Sequence, residues 1–95
     1  MSERMIVVED LVPQFPRGVR LKHDKARGQW VILAPERMFA LDDIAQAIMQ
    51  QIDGEKNVST IVDALAETFQ APRDLILQDV LTLMQDFADK GVLSS

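Results

Sequence analysis

The sequence predicts an α+β fold of winged-helix-like layout, a three-stranded antiparallel sheet followed by three helices. Three observations carry this. Before residue 42 the apolar residues fall in short runs cut by turn residues; after it they recur at helical spacing. The chain of 95 residues, 47% hydrophobic, is also long enough for one core without staples and too short for two.

Residues 1–18 contain Pro13, Pro16 and Gly18 with no sustained period, and read as a flexible N-terminal arm. Residues 19–95 then form a single domain. Val19, Leu21 and His23 alternate with Arg20 and Lys22, as a half-buried strand requires. A polar turn at 24–28, ending in Gly28, leads into Trp30, Val31, Ile32 and Leu33, so the two runs pair as a hairpin. Pro35 cannot continue the ladder and turns the chain into a short third strand, Arg37, Met38, Phe39, Ala40 and Leu41, placed at a sheet edge. Alternation separates Met38 and Ala40 from Phe39 and Leu41 without showing which pair faces inward.

Asp42 or Asp43 is expected to cap the first helix, which carries Ile44, Ile48 and Ile52 and stops at Asp53-Gly54. Ser59 or Thr60 caps the second. Its Val58, Ile61, Val62, Leu65, Ala66 and Phe69 make one buried stripe. Pro72 suits the first turn of the third helix, residues 74–90, which Gly91 stops, and Val92 and Leu93 fold back onto the core.

That third helix carries more apolar surface than so small a domain can bury. Leu83, Ile76, Val80 and Phe87 form one stripe and Leu77, Leu81, Met84 and Ala88 an adjoining one. Together they span roughly 160°, against about 100° for an ordinary core-facing stripe. One stripe holds the core, and the other is available to a partner. The alternative uses of the second stripe are cover by the arm or the tail, and a homodimer.

Chemistry is hard to find. Without cysteine there are no disulfides, thiolates or sulfur-ligated metals, which fits a cytoplasmic protein. His23 is the lone histidine, Asp42-Asp43 is explained by helix capping, and the four glycines fall at turns or caps rather than in a phosphate loop. No catalytic residue, metal or cofactor is therefore expected, and no run reaches membrane-spanning length.

The net charge of −5 is uneven: residues 1–40 hold seven basic and five acidic side chains, residues 41–95 three and ten. A winged-helix DNA-binding regulator is the rival reading of the fold. The third helix argues against nucleic acid, because Asp74, Asp79, Asp86 and Asp89 line the side that would face phosphate. The basic cluster Arg17, Arg20, Lys22, Lys25 and Arg27 reads as a solvated hairpin face, open to an acidic partner.

Several fragments in order are more specific. Phe15-Pro16-Arg17-Gly18-Val19-Arg20-Leu21 and Trp30-Val31-Ile32-Leu33-Ala34-Pro35-Glu36-Arg37 are followed by Leu41-Asp42, Ile52-Asp53-Gly54, Ile61-Val62, Asp79-Val80 and Lys90-Gly91-Val92-Leu93. This series, over residues 13–93, resembles the PqqD family, pyrroloquinoline quinone biosynthesis protein D.

The resemblance implies a non-catalytic peptide chaperone that binds the ribosomal precursor peptide of the quinone and presents it to a radical S-adenosylmethionine enzyme. It also implies that the peptide adds as a strand beside Arg37, Met38, Phe39, Ala40 and Leu41. There it would pack against Leu77, Leu81, Met84 and Ala88 of the third helix. An open strand edge offers unpaired amides and carbonyls to any extended peptide, while neighbouring apolar pockets choose among side chains.

Overall fold

The computed structural model describes residues 4–95. Strands β1 (Arg20–Asp24), β2 (Gln29–Ala34) and β3 (Arg37–Ala40) form an antiparallel meander in the order β1-β2-β3, and helices α1 (Asp43–Gln50), α2 (Val58–Phe69) and α3 (Arg73–Asp89) follow. The expected layout holds, with boundaries shifted by a residue or two.

The register explains the two faces of the sheet. Leu21, Ile32 and Phe39 are directly opposed, and so lie on one face; Ile32 is fully buried in the main core and Leu21 and Phe39 pack against it. The next rungs, Arg20-Leu33-Met38 and Lys22-Val31-Ala40, lie on the other face, away from the helices. Glu36 takes a positive φ of 61° after Pro35, the backbone of a tight two-residue link that brings β3 back along β2.

The first two helices start where a side chain accepts an orphan amide, whereas α3 starts after Pro72 without a side-chain cap. Asp42 Oδ1 accepts from the Ala45 amide at 2.8 Å. At α2 the cap is Asn57, not Ser59 or Thr60, and its Oδ1 accepts from the Thr60 amide at 2.9 Å. Val58, Ile61 and Val62 of α2 are fully buried. Removing a side chain of that size from water stabilises the fold by about 1.5–3 kcal/mol. Phe69, expected in the same stripe, is half exposed, because α2 ends there as Gln70 turns left-handed at φ 49°.

The end of α3 is a Schellman turn: Gly91, at φ 78°, and Val92 donate to the carbonyls of Ala88 and Phe87 at 3.0 Å each. The turn sends Val92 and Leu93 into the core, and Ser94 then pairs with Gln14.

The expected flexible arm spans residues 1–18, of which 1–3 lie outside the described residues; in the rest, several residues pack on the helices. Val7 and Pro13 are buried. The Gln85 side chain accepts from the Val7 amide at 2.9 Å and donates to the Met5 carbonyl at 2.8 Å, so it reads the arm as a neighbouring strand would. The carbonyls of Leu11 and Glu9 accept from the Val58 and Ser59 amides, which are two of the donors that α2 cannot satisfy internally. Prolines remove periodicity from a segment without preventing it from docking, which is why the sequence pattern did not show this contact.

Candidate functional site

The sheet has an open edge at β3, and hydrogen-bond alternation shows which groups it presents. Leu41 donates to the Trp30 carbonyl at 3.0 Å, directly across from it. In an antiparallel ladder every second residue points its amide and carbonyl at its partner. Phe39 and Arg37 therefore also face β2, while the main-chain groups of Met38 and Ala40 point to the open side. Both residues are exposed.

Helix α3 runs antiparallel alongside this strand. At one end the Arg37 guanidinium donates to the Lys90 carbonyl at 2.8 Å. In the middle the rings of Phe39 and Phe87 meet edge to face, with centroids 5.9 Å apart. The Phe39 ring also receives two cations, Arg37 at 5.4 Å and Lys90 Nζ at 5.6 Å. Lys90 in turn pairs with Asp86 at 2.8 Å.

At the far end of β3 the chain enters α1, and α1 and α3 stand apart. A groove of about 640 Å³ opens between them, lined by Asp42, Ile44, Ile48, Leu83 and Asp86 among others. It shares Ile44, Ile48 and Asp79 with an apolar hollow of about 220 Å³ that reaches Leu65, Phe69, Ile76 and Val80. Ile44 is 56% exposed and Phe69 50%, unusual for large apolar side chains beside a core. Beyond the end of β3, from Asp42 onward, the two cavities thus form one trough with apolar walls, rimmed by Asp42, Asp79 and Asp86.

The residues expected to contact a peptide divide into three groups. Arg37, Met38, Phe39 and Ala40 form the edge strand as expected. Leu41 does not join them: it is 4% exposed and its amide is spent on Trp30, so it belongs to the core.

On α3 the expected division into two stripes is displaced. The buried line is Val80, Met84 and Phe87, which straddles the boundary drawn between them. Met84 is fully buried and is corrected from guest contact to core. Leu77, Leu81 and Ala88 are half-buried against that core. Leu81 shares a shallow depression with Val7 and Gln85, on the flank that the arm crosses. The flank turned toward the trough carries Ile76 and Leu83 instead.

Ile44, Phe69, Ile76 and Leu83 were missed as site residues because each fits its helix's core repeat. Periodicity reports which residues are apolar, not which are covered.

Titration is perturbed away from the trough. Hydrogen bonds from Arg4, then from Gln85, hold the Asp89 carboxyl below its ordinary range, and the Lys56 and Glu55 amides do the same to Asp53. Among the described residues no group of three or more His, Cys, Asp or Glu could hold a metal ion, and no helix is long and apolar enough to cross a membrane.

A three-stranded meander with its β3 edge open, followed by helices that leave a trough between them, defines a small α+β domain of the winged-helix-like recognition type. Its geometry suits an extended guest chain. The chain belongs to the PqqD family: the description "Coenzyme PQQ synthesis protein D (PqqD)" matches residues 29–93.

Relatives support the assignment along nearly the whole length. The chain is 50% identical over 91 residues to a PqqA binding protein of Rhodopseudomonas palustris strain TIE-1, covering 96% of this chain and 89% of that one. It is 49% identical over 82 residues to a PqqA binding protein of Bradyrhizobium diazoefficiens, covering 86% and 80% respectively. The solution NMR structure of the PqqD truncation of Methylobacterium extorquens PqqCD superposes with a TM-score of 0.81 at 42% identity, covering 94% of this chain and 95% of that one. That truncation is described as a functional, stand-alone recognition element for ribosomally synthesized and post-translationally modified peptides.

Proposed function

We propose that this chain is a non-catalytic peptide carrier of pyrroloquinoline quinone biosynthesis, which binds a PqqA-type precursor peptide and presents it in the cytoplasm to a radical S-adenosylmethionine enzyme. The names of its relatives as PqqA binding proteins support the choice of guest. The observation that supports the binding mode is the open edge of β3, held against α3 by the Phe39–Phe87 contact, with the trough of Ile44 and Leu83 opening beyond its end at Asp42.

On this reading the peptide adds as a fourth strand along β3. The outward main-chain groups of Met38 and Ala40 bind it irrespective of its sequence, and the trough selects its apolar side chains. The other sheet edge is less suited to the same guest, because β1 carries Arg20 and Lys22, and such charges discourage strand addition. The aspartates around the trough favour a guest with basic groups flanking its apolar anchors.

Titration of isotope-labelled protein with the precursor peptide tests the proposal. Amide shifts should concentrate on residues 37–40, the start of α1 and the Ile76-Leu83 flank of α3. Shifts that avoid both β3 and α3 would show that the groove is wrong.

A further inference from the structure

We propose that the face of the sheet turned away from the helices is a docking surface for an acidic protein that presents an apolar side chain. Resting on the carrier reading above, that protein is the enzyme that receives the peptide.

The face is unusual in both its floor and its rim. Val31 is 1% exposed but lies outside the contiguous core cluster, because it points away from the helices. It shares a cleft of about 420 Å³ with Leu33, Met38, Lys22 and Lys25. Met38 is 45% exposed there, so the cleft has an apolar floor that a single protruding side chain could cover.

Around the cleft the charge is mainly positive and largely unspent, with Asp24 the one acid in its lining. Arg20 and Lys22 stand on the two rungs that contain Leu33 and Val31. Neither they nor Lys25 makes an ion pair among the described residues, whereas Arg27, Lys56, Arg73 and Lys90 all do. The nearest acid, Asp24, is engaged by Arg27 and by the Ala26 amide. A lysine or arginine that is only a solvating group needs no apolar floor beside it. Here the two occur together, as they do at the rim and centre of an interface.

Long-range charge gives the surface its direction. Residues 41–95, which build the helical side, carry ten acidic and three basic side chains. An acidic protein is therefore repelled from the helices and steered to the sheet. A nucleic acid would be steered likewise, but the cleft floor of Val31, Leu33 and Met38 offers a base edge no donor, so a protein fits better.

Position links this surface to the guest peptide. Met38 contributes its side chain to the cleft and, by ladder alternation, its main chain to the open edge. A peptide added along β3 would lie one strand spacing away, about 4.8 Å. A partner on this face would meet the bound peptide without covering the trough.

The test uses the full chain, its precursor peptide and the purified radical S-adenosylmethionine enzyme. The variant Arg20→Glu/Lys22→Glu/Lys25→Glu changes exposed side chains only, and Lys22→Gln/Lys25→Gln provides a milder second variant. Peptide affinity by calorimetry should stay within about twofold of the parent. Affinity for the enzyme should fall by about tenfold or more in the triple variant and by less in the neutral one, with a weaker dependence on salt.

Unchanged enzyme affinity in both variants overturns the docking face and leaves the carrier reading intact. Absence of any association between the parent protein and the enzyme overturns both. A single-stranded DNA probe that binds this face as tightly as the enzyme would overturn the choice of a protein partner.

Discussion

Phe39 of the edge strand meets Phe87 of α3 edge to face, with ring centroids 5.9 Å apart and planes at 73°. This pair fixes the strand to the helix that flanks the trough, and Arg37 reinforces it by reaching the Lys90 carbonyl. The edge is thereby held rigid while its outward main-chain groups stay unpaired, which lowers the ordering cost of accepting a guest strand.

Phe39→Leu keeps most of the volume but removes the aromatic pair and the ring face seen by Arg37 and Lys90. A loss of about 0.5–1.5 kcal/mol in unfolding free energy is expected from the aromatic contact. Denaturant titration measures it, and calorimetry should show weaker peptide binding in the same variant.

Ala40→Pro removes one outward amide without touching the β2–β3 ladder, since alternation turns the Ala40 amide away from β2. The thermal melt should change little. Peptide affinity should fall by about fivefold to tenfold, the value of one hydrogen bond near 1 kcal/mol. Unaltered affinity would show that the guest does not pair at this position.

Met84 and Leu83 are neighbours in sequence and should behave oppositely. Met84→Ala empties a fully buried site and is expected to cost about 2–5 kcal/mol of stability. Leu83→Asp places a charge on the trough wall and should weaken peptide binding by about tenfold or more, with a smaller effect on the melt. Chemical denaturation and calorimetry on the two variants separate core from contact.

The arm should loosen in acid. Hydrogen bonds from Arg4 and Gln85 lower the Asp89 carboxyl in the folded chain, so its contribution is complete above the ordinary carboxylate range. It disappears as pH falls through the depressed folded value, below about pH 3.9. Faster hydrogen exchange at the Val7 amide as the solution is acidified, with the α2 amides still protected, is the expected signature. Gln85→Ala should produce the same loosening at neutral pH, because it removes both contacts to the Met5 and Val7 main chain.

Much of this architecture is legible in the sequence. Strand alternation, the Pro35 break and the Asp42 cap gave the sheet and the first helix, because each depends on local geometry that a few neighbouring residues dictate. The edge position of β3 followed from its shortness and the proline before it. Asn57, Ser59 and Thr60 have similar capping propensity, and only the bond to the Thr60 amide distinguishes Asn57 as the cap.

By itself the sequence determined that α3 has more apolar surface than one contact line can use, and that positive charge gathers on the sheet and negative charge on the helices. Only the tertiary structure decided which apolar residues are covered. Val7 and Gln85 bring the arm to the Leu81 flank, Met84 sinks into the core, and the gap between α1 and α3 leaves Leu83 and Ile76 lining a trough. Helical periodicity fixes the angle of a side chain around its own axis, but cover is set by segments distant along the chain, and no local pattern encodes their approach.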